Sequence, residues 1–296
     1  MVSRRHFLAA TLALIALIAL ATGRADAQDR VNVVASFSIL ADLVRNVGGE
    51  RVELATLVAP NSDAHSYVPS PADAAKLAAA RIVVINGLGF EGSLERFIAA
   101  SVKGARVVVA TSGIAARGEG GRADPHAWQS VANAKTYVVS IRDALAAVDP
   151  AGKAAFVANA RDYLERLDAL DAEIRAALAA IPPARRKIIT THDAFGYFGA
   201  AYGVEFIAPQ GLSTEADASA RDIARIIAQI KRERIRAVFL DNVADARLIE
   251  RISREAGARI GGTLYSDALT GAAGPAPSYI AMMRHNLREI VAALKD

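Results

Sequence analysis

The sequence predicts an α/β protein: two α/β lobes with parallel or mixed sheets, joined by one long backbone helix. Three observations carry this. Short β-branched runs alternate with amphipathic segments from Val31 to Ala147, the pattern of a sheet with helices on its faces. A single apolar stripe then runs between Asp149-Pro150 and Pro182-Pro183. The alternation restarts at Lys187 and continues to the closing helix. The division read from these is 28–148 as one lobe, 149–182 as the linking helix and 183–296 as the second lobe.

Residues 1–27 stand apart. Met1 to Arg5 is a basic start, Phe7 to Thr22 a short apolar run, and Ala25-Asp26-Ala27 fits a signal-peptidase site before Gln28. The apolar run is short for a membrane span. Ser3-Arg4-Arg5-His6-Phe7-Leu8 also resembles a twin-arginine export signal, so the Sec and twin-arginine routes both stay open.

In the first lobe, Val31 to Phe37 reads as a strand and Ser38 to Val47 as a helix ended by Gly48-Gly49. Val52 to Val58 is the second strand. Ser70-Pro71 caps a helix over 72–80, with Ser70 as N-cap and Pro71 at the first helical position. Arg81 to Asn86 and Arg106 to Thr111 are further strands. Gly118 to Gly121 lies in a flexible loop, and Asn133 to Ala147 is helical.

The stripe of the linking helix is Phe156, Ala160, Tyr163, Leu167, Leu170, Ile174, Leu178 and Ile181. About 30 residues at 1.5 Å each span roughly 45 Å, more than one small lobe needs. A coiled-coil dimer is the alternative use of such a stripe. In the second lobe, strands are expected at 187–191, 204–208, 237–240 and 258–264. Helices are expected at 194–202, 216–234, 244–256 and 277–294.

Composition excludes several function classes. With 35 basic and 31 acidic residues, the formal charge of +4 is too small and scattered to argue for nucleic acid. There is no cysteine, which excludes disulfides, thiolate metal sites and a cysteine nucleophile. A lipoprotein anchor, which needs a Cys at the cleavage site, is likewise not expected. No H-E-x-x-H, G-x-S-x-G or P-loop motif is present.

The chemistry-bearing residues fall at loops and strand ends, where open α/β sheets bind ligands. His65 follows the second strand. His126 lies in Asp124-Pro125-His126-Ala127-Trp128. His192 ends the strand that opens the second lobe, and Asp267 follows the last strand. Spacing alone leaves their convergence open. His285, on the closing helix, reads as a solvated histidine.

These segments, with Asp63-Ala64-His65-Ser66-Tyr67, Thr191-His192-Asp193-Ala194-Phe195, Ser213-Thr214-Glu215-Ala216 and Tyr265-Ser266-Asp267, resemble the zinc/manganese solute-binding proteins of bacterial ABC importers. The likeness runs over essentially all of the chain after residue 27. It implies two lobes flanking a long helix, a periplasmic monomer without a membrane anchor, an inner-membrane permease as partner, and no catalytic residue. It places four metal ligands on His65, His126, His192 and Asp267. There are two departures. The segment 115–123 is short and holds no His, where many zinc-specific members carry a His-rich loop. Manganese members usually have Glu at the third position, where this chain has His192.

Three imidazoles and one carboxylate suit Zn²⁺, whereas Mn²⁺ prefers more oxygen and is the alternative cargo. Four protein donors leave no open position for a reactive water, which argues against a metallohydrolase. A surface protein with a purely structural metal is the third reading. Asp193, Glu215 and Asp241 are candidates to orient imidazole N–H groups.

Overall fold

Two four-stranded parallel sheets organise the chain. A computed structural model describes residues 30–119 and 121–295, so the expected signal segment lies outside the described residues. The first sheet holds β1 (Val31–Phe37), β2 (Val52–Val58), β3 (Ile82–Ile85) and β4 (Arg106–Val109), in the order β2-β1-β3-β4. All its pairings are parallel, with Val33 opposite Leu54 on one side and Ile82 on the other. The central β1 is buried at every residue but Asn32, which is why its sequence is apolar rather than alternating.

The helices of this lobe are α1 (Ser38–Gly48), α2 (Pro71–Ala79), α3 (Ser93–Ser101) and α4 (Val131–Val148). α2 starts on a capping box. Asp73 N donates to Ser70 Oγ, and Asp73 Oδ2 accepts from Ser70 N at 2.9 Å. Sequence reading had no element at α3, whose buried face is only Leu94 and Ile98. The loop around Gly118 to Gly121 contains a short antiparallel hairpin, β5 (Gly118–Glu119) with β6 (Arg122–Ala123).

A 3₁₀ turn at Pro150–Gly152, capped by Asp149, leads into α5 (Lys153–Ala179). Its 27 residues span about 40 Å. All seven stripe residues on α5, and Ile181 beyond it, are at most 2% exposed. α5 packs on α1 and α4 of the first lobe. The stripe is therefore used inside the chain and is not the seam of a coiled coil.

The second sheet repeats the topology of the first. β7 (Lys187–Ile189), β8 (Glu205–Ile207), β9 (Ala237–Asp241) and β10 (Arg259–Leu264) lie in the order β8-β7-β9-β10, again all parallel. Its helices are α6 (Gly196–Tyr202), α7 (Ala220–Glu233), α8 (Ala246–Ala256) and α9 (Tyr279–Lys295). α5 reaches α6 and α9 as well, so it touches both lobes. α7 begins four residues later than the apolar pattern suggested, because Ser219 caps it by accepting from Asp222 N.

From Val31 onward, sheets and bridge belong to one compact unit. Hydrogen bonds cross between the lobes. Leu269 N donates to Ser38 Oγ at 3.0 Å, Asn61 N to Leu269 O at 2.8 Å, and Tyr279 Oη to Trp128 O at 2.6 Å. Among the described residues no helix is long and apolar enough to cross a membrane.

Candidate metal centre

The four residues singled out in the sequence come together. One donor atom from each of His65, His126, His192 and Asp267 lies within 4.8 Å of the other three. Two come from the first lobe and two from the second, and every one follows the carboxyl end of a strand or the loop beyond it.

Local chemistry explains how each is aimed. Asp63 Oδ1 accepts from His65 N at 2.9 Å, closing an Asx turn that presents the imidazole. Asp63 Oδ2 accepts from Ser66 Oγ at 2.9 Å and, across the lobes, from Thr214 Oγ1 at 2.6 Å. The same Asp-x-His geometry recurs at Asp124, whose Oδ1 accepts from His126 N at 3.0 Å and lies 2.9 Å from His126 Nδ1. With Nδ1 donating there, His126 Nε2 keeps its lone pair free. Gly196 makes room for this: a Cβ on it would stand 2.7 Å from Asp124 Oδ2. Tyr197 Oη donates to Asp124 O at 3.2 Å from the other lobe.

His192, three residues beyond β7, is fully buried, and its Nδ1 lies 2.5 Å from Asp241 Oδ2 at the end of β9. Its Nε2 is 3.1 Å from Asp267 Oδ2. His65 Nε2 is 3.2 Å from that same oxygen, and His126 Nε2 is 3.6 Å from Asp267 Oδ1. Four donors placed tetrahedrally at about 2.1 Å from one ion would be roughly 3.4 Å apart. The observed spacings bracket that figure. His65 Nε2, His126 Nε2 and Asp267 Oδ1 are buried without a hydrogen-bond partner, which is costly unless something else uses their lone pairs.

The electrostatics agree with a site that holds a cation. Burial pushes the Asp267 carboxyl up, but the imidazoles of His126 and His192 outweigh it and hold Asp267 well below the usual carboxylate range. Burial pulls His192 down, but the carboxylates of Asp241 and Asp267 outweigh that and raise it well above an ordinary imidazole.

Of the orienting acids expected from sequence, only Asp241 meets an imidazole. Asp193 lines a cleft of about 760 Å³ with Arg117 and Asp124. Glu215 lines a smaller opening, about 290 Å³, that reaches His65. Neither hydrogen-bonds an imidazole among the described residues. Sequence reasoning missed Asp63 and Asp124, although the repeated Asp-x-His spacing was there to be read. His285 is not the solvated histidine expected: it is half-buried, its Nε2 lies 3.0 Å from Thr263 O, and its ring meets that of Tyr265 edge-on at 5.0 Å.

Two lobes with a cluster of four residues that could hold a metal ion, two from each lobe, fit a binding protein of the ABC-importer kind. Comparison with known proteins makes the class definite. Residues 33–293 match the family model described as ZnuA, zinc-uptake complex component A, periplasmic. The iron-binding protein YfeA of Yersinia pestis is 33% identical over 263 residues, covering 87% of this chain and 84% of that one. The manganese-binding lipoprotein MntA of Bacillus subtilis is 35% identical over 279 residues, 91% of each. The periplasmic zinc-binding protein TroA of Treponema pallidum superposes with a TM-score of 0.86 at 31% identity, over 90% of this chain and 99% of that one. The chain belongs to this family of periplasmic metal-binding proteins of ABC importers.

Proposed function

We propose that the cargo is Zn²⁺, held by His65, His126, His192 and Asp267 and delivered to an inner-membrane ABC permease. The observation that carries this is the donor set: three convergent imidazole nitrogens and one carboxylate, within 4.8 Å of one another. Zn²⁺ is satisfied by four such donors, and a filled tetrahedron leaves no position for a reactive water, so we read no enzymatic activity here. On this reading residues 1–27 are removed on export, the lobes are 28–148 and 183–296, and the protein works as a monomer.

One observation favours Mn²⁺ or Fe²⁺ as a second reading. Asp267 turns both oxygens inward, Oδ2 toward His65 and His192 and Oδ1 toward His126. A bidentate carboxylate would raise the coordination number, which suits ions that want more oxygen. The test is metal analysis of protein isolated from its own periplasm, followed by titration of the stripped protein with each ion. One equivalent of zinc, lost in His126→Ala, is expected. A native content dominated by manganese or iron would overturn the zinc assignment.

A further inference from the structure

Three of the four metal donors are tied together by one residue that touches none of the ion's coordination positions. Ser266 is fully buried and precedes Asp267. Its hydroxyl donates to Asp241 Oδ1 at 2.8 Å, while the other oxygen of that carboxylate lies 2.5 Å from His192 Nδ1. Its carbonyl accepts from Trp128 Nε1 and Gln129 Nε2, both at 2.9 Å, from the turn that follows His126 in the other lobe. Its own N–H donates to Asn242 Oδ1 at 3.0 Å, next to Asp241.

We infer that Ser266 is a positioning residue for the metal, acting through Asp241 on His192 and through its backbone on the fit between Asp267 and the His126 turn. This rests on the metal-binding reading above. The physical reason lies in the carboxylate. Among the described residues, Asp241 Oδ1 accepts from Ser266 Oγ and, more weakly, from Val243 N at 3.2 Å. With the hydroxyl gone, only the longer Val243 N contact among the described residues still holds that oxygen, and the buried carboxylate is less firmly fixed about its last bond. Its far oxygen lies 2.5 Å from His192 Nδ1, so a shift of the carboxylate moves the group the imidazole rests against, and with it the direction of the Nε2 lone pair. The carbonyl cannot be removed by substitution, so the side chain is the part that can be tested. His65 is held differently: its Nε2 meets the ligand Asp267 at 3.2 Å, and its ring is packed edge-on against Phe90 at 5.0 Å.

The experiment is a zinc titration of chelator-stripped wild type, Ser266→Ala and Ser266→Thr, with Co²⁺ as a spectroscopic probe of the same site. Removing an outer hydrogen-bond partner of a metal ligand costs about 10- to 100-fold in affinity. The Ser266 hydroxyl is one bond further out, on Asp241, so Ser266→Ala is expected to sit at the low end of that range, a loss of up to about 10-fold, with a changed Co²⁺ visible spectrum and an unchanged stoichiometry of one. Ser266→Thr, which keeps the hydroxyl, is expected to restore wild-type affinity and spectrum. A purely structural serine would lower thermal stability and leave the Co²⁺ spectrum alone, and that result overturns the inference. Ser266→Cys, nearly the same size with a weaker donor, covers the case in which the alanine variant does not fold: an intermediate loss of affinity supports the inference, and wild-type affinity overturns it. A thiolate-to-cobalt band in that variant also overturns it, because residue 266 would then face the ion directly. If wild type itself takes up no zinc, the failure belongs to the proposed function and not to Ser266.

Discussion

Zinc affinity should depend on pH in a way that His192 sets. In the metal-free protein its pKa is raised well above the ordinary value by Asp241 and Asp267, against the opposing pull of burial. An ordinary imidazole titrates near about 6.5. A raised value means that His192 holds its proton to a higher pH than a free imidazole does, and zinc must expel that proton to bind. Each proton expelled costs about tenfold in apparent affinity per pH unit below the pKa of the group that held it. Affinity should therefore begin to fall, by up to about tenfold per unit, as pH drops through the raised His192 value, which lies above about 6.5.

The same shifts act on the empty protein with opposite signs. His192, raised, contributes stability that is present below about pH 6.5 and is lost as pH rises through its folded value. Asp267, lowered from 3.8, contributes stability that is present above that pH and is lost as pH falls through its depressed value. The assay is calorimetry in buffers of different ionisation enthalpy, which counts released protons, combined with chelator competition across pH. Release of a proton by zinc at pH values above about 6.5 is expected, and less of it in Asp241→Asn. A flat affinity down to about pH 6.5 with no proton released would falsify the His192–Asp267 ion pair.

Asp124→Asn should weaken zinc about 10- to 100-fold by unfixing the His126 ring, read by chelator competition; no change would mean that the 2.9 Å contact orients nothing. Leu167→Ala, at a fully buried position of the bridge, should cost about 2–5 kcal/mol, seen as a lower melting temperature of the empty protein with metal stoichiometry intact. His192→Glu should narrow the zinc-over-manganese preference by adding an oxygen donor, and an unchanged ratio of the two affinities would remove His192 from selectivity. Arg4→Lys with Arg5→Lys should stop export if the twin-arginine receptor reads the pair, and normal periplasmic accumulation would assign the protein to Sec.

What the sequence disclosed and what it hid follow from range. β1, α1, β2 and the stripe of α5 were legible because their apolar spacing is dictated by burial within a single element. Ser70-Pro71 was legible because a cap is chemistry between residues three apart. α3 was missed because two buried residues in nine make no periodic signal. α7 was placed four residues early because the residues before Ser219 look helical until the cap is recognised. His285 was misread because its partner, the Thr263 carbonyl, comes from a strand 22 residues away.

The site divides the same way. Donor identity could be read from residues at strand ends, since a parallel sheet collects its functional groups at one edge. Convergence could not, because it depends on bringing residues from two separate sheets, β2-β1-β3-β4 and β8-β7-β9-β10, within 4.8 Å of one another. What aims the donors is longer in range still. Asp241 meets His192 across 49 positions of chain, Ser266 meets Trp128 across 138, and Thr214 meets Asp63 across 151. Only Asp124 and Asp63 act on neighbours, two residues from the histidines they hold. A lone Asp-x-His is a common turn, and its role becomes visible only when the second imidazole is seen facing the first, at 5.6 Å between ring centres.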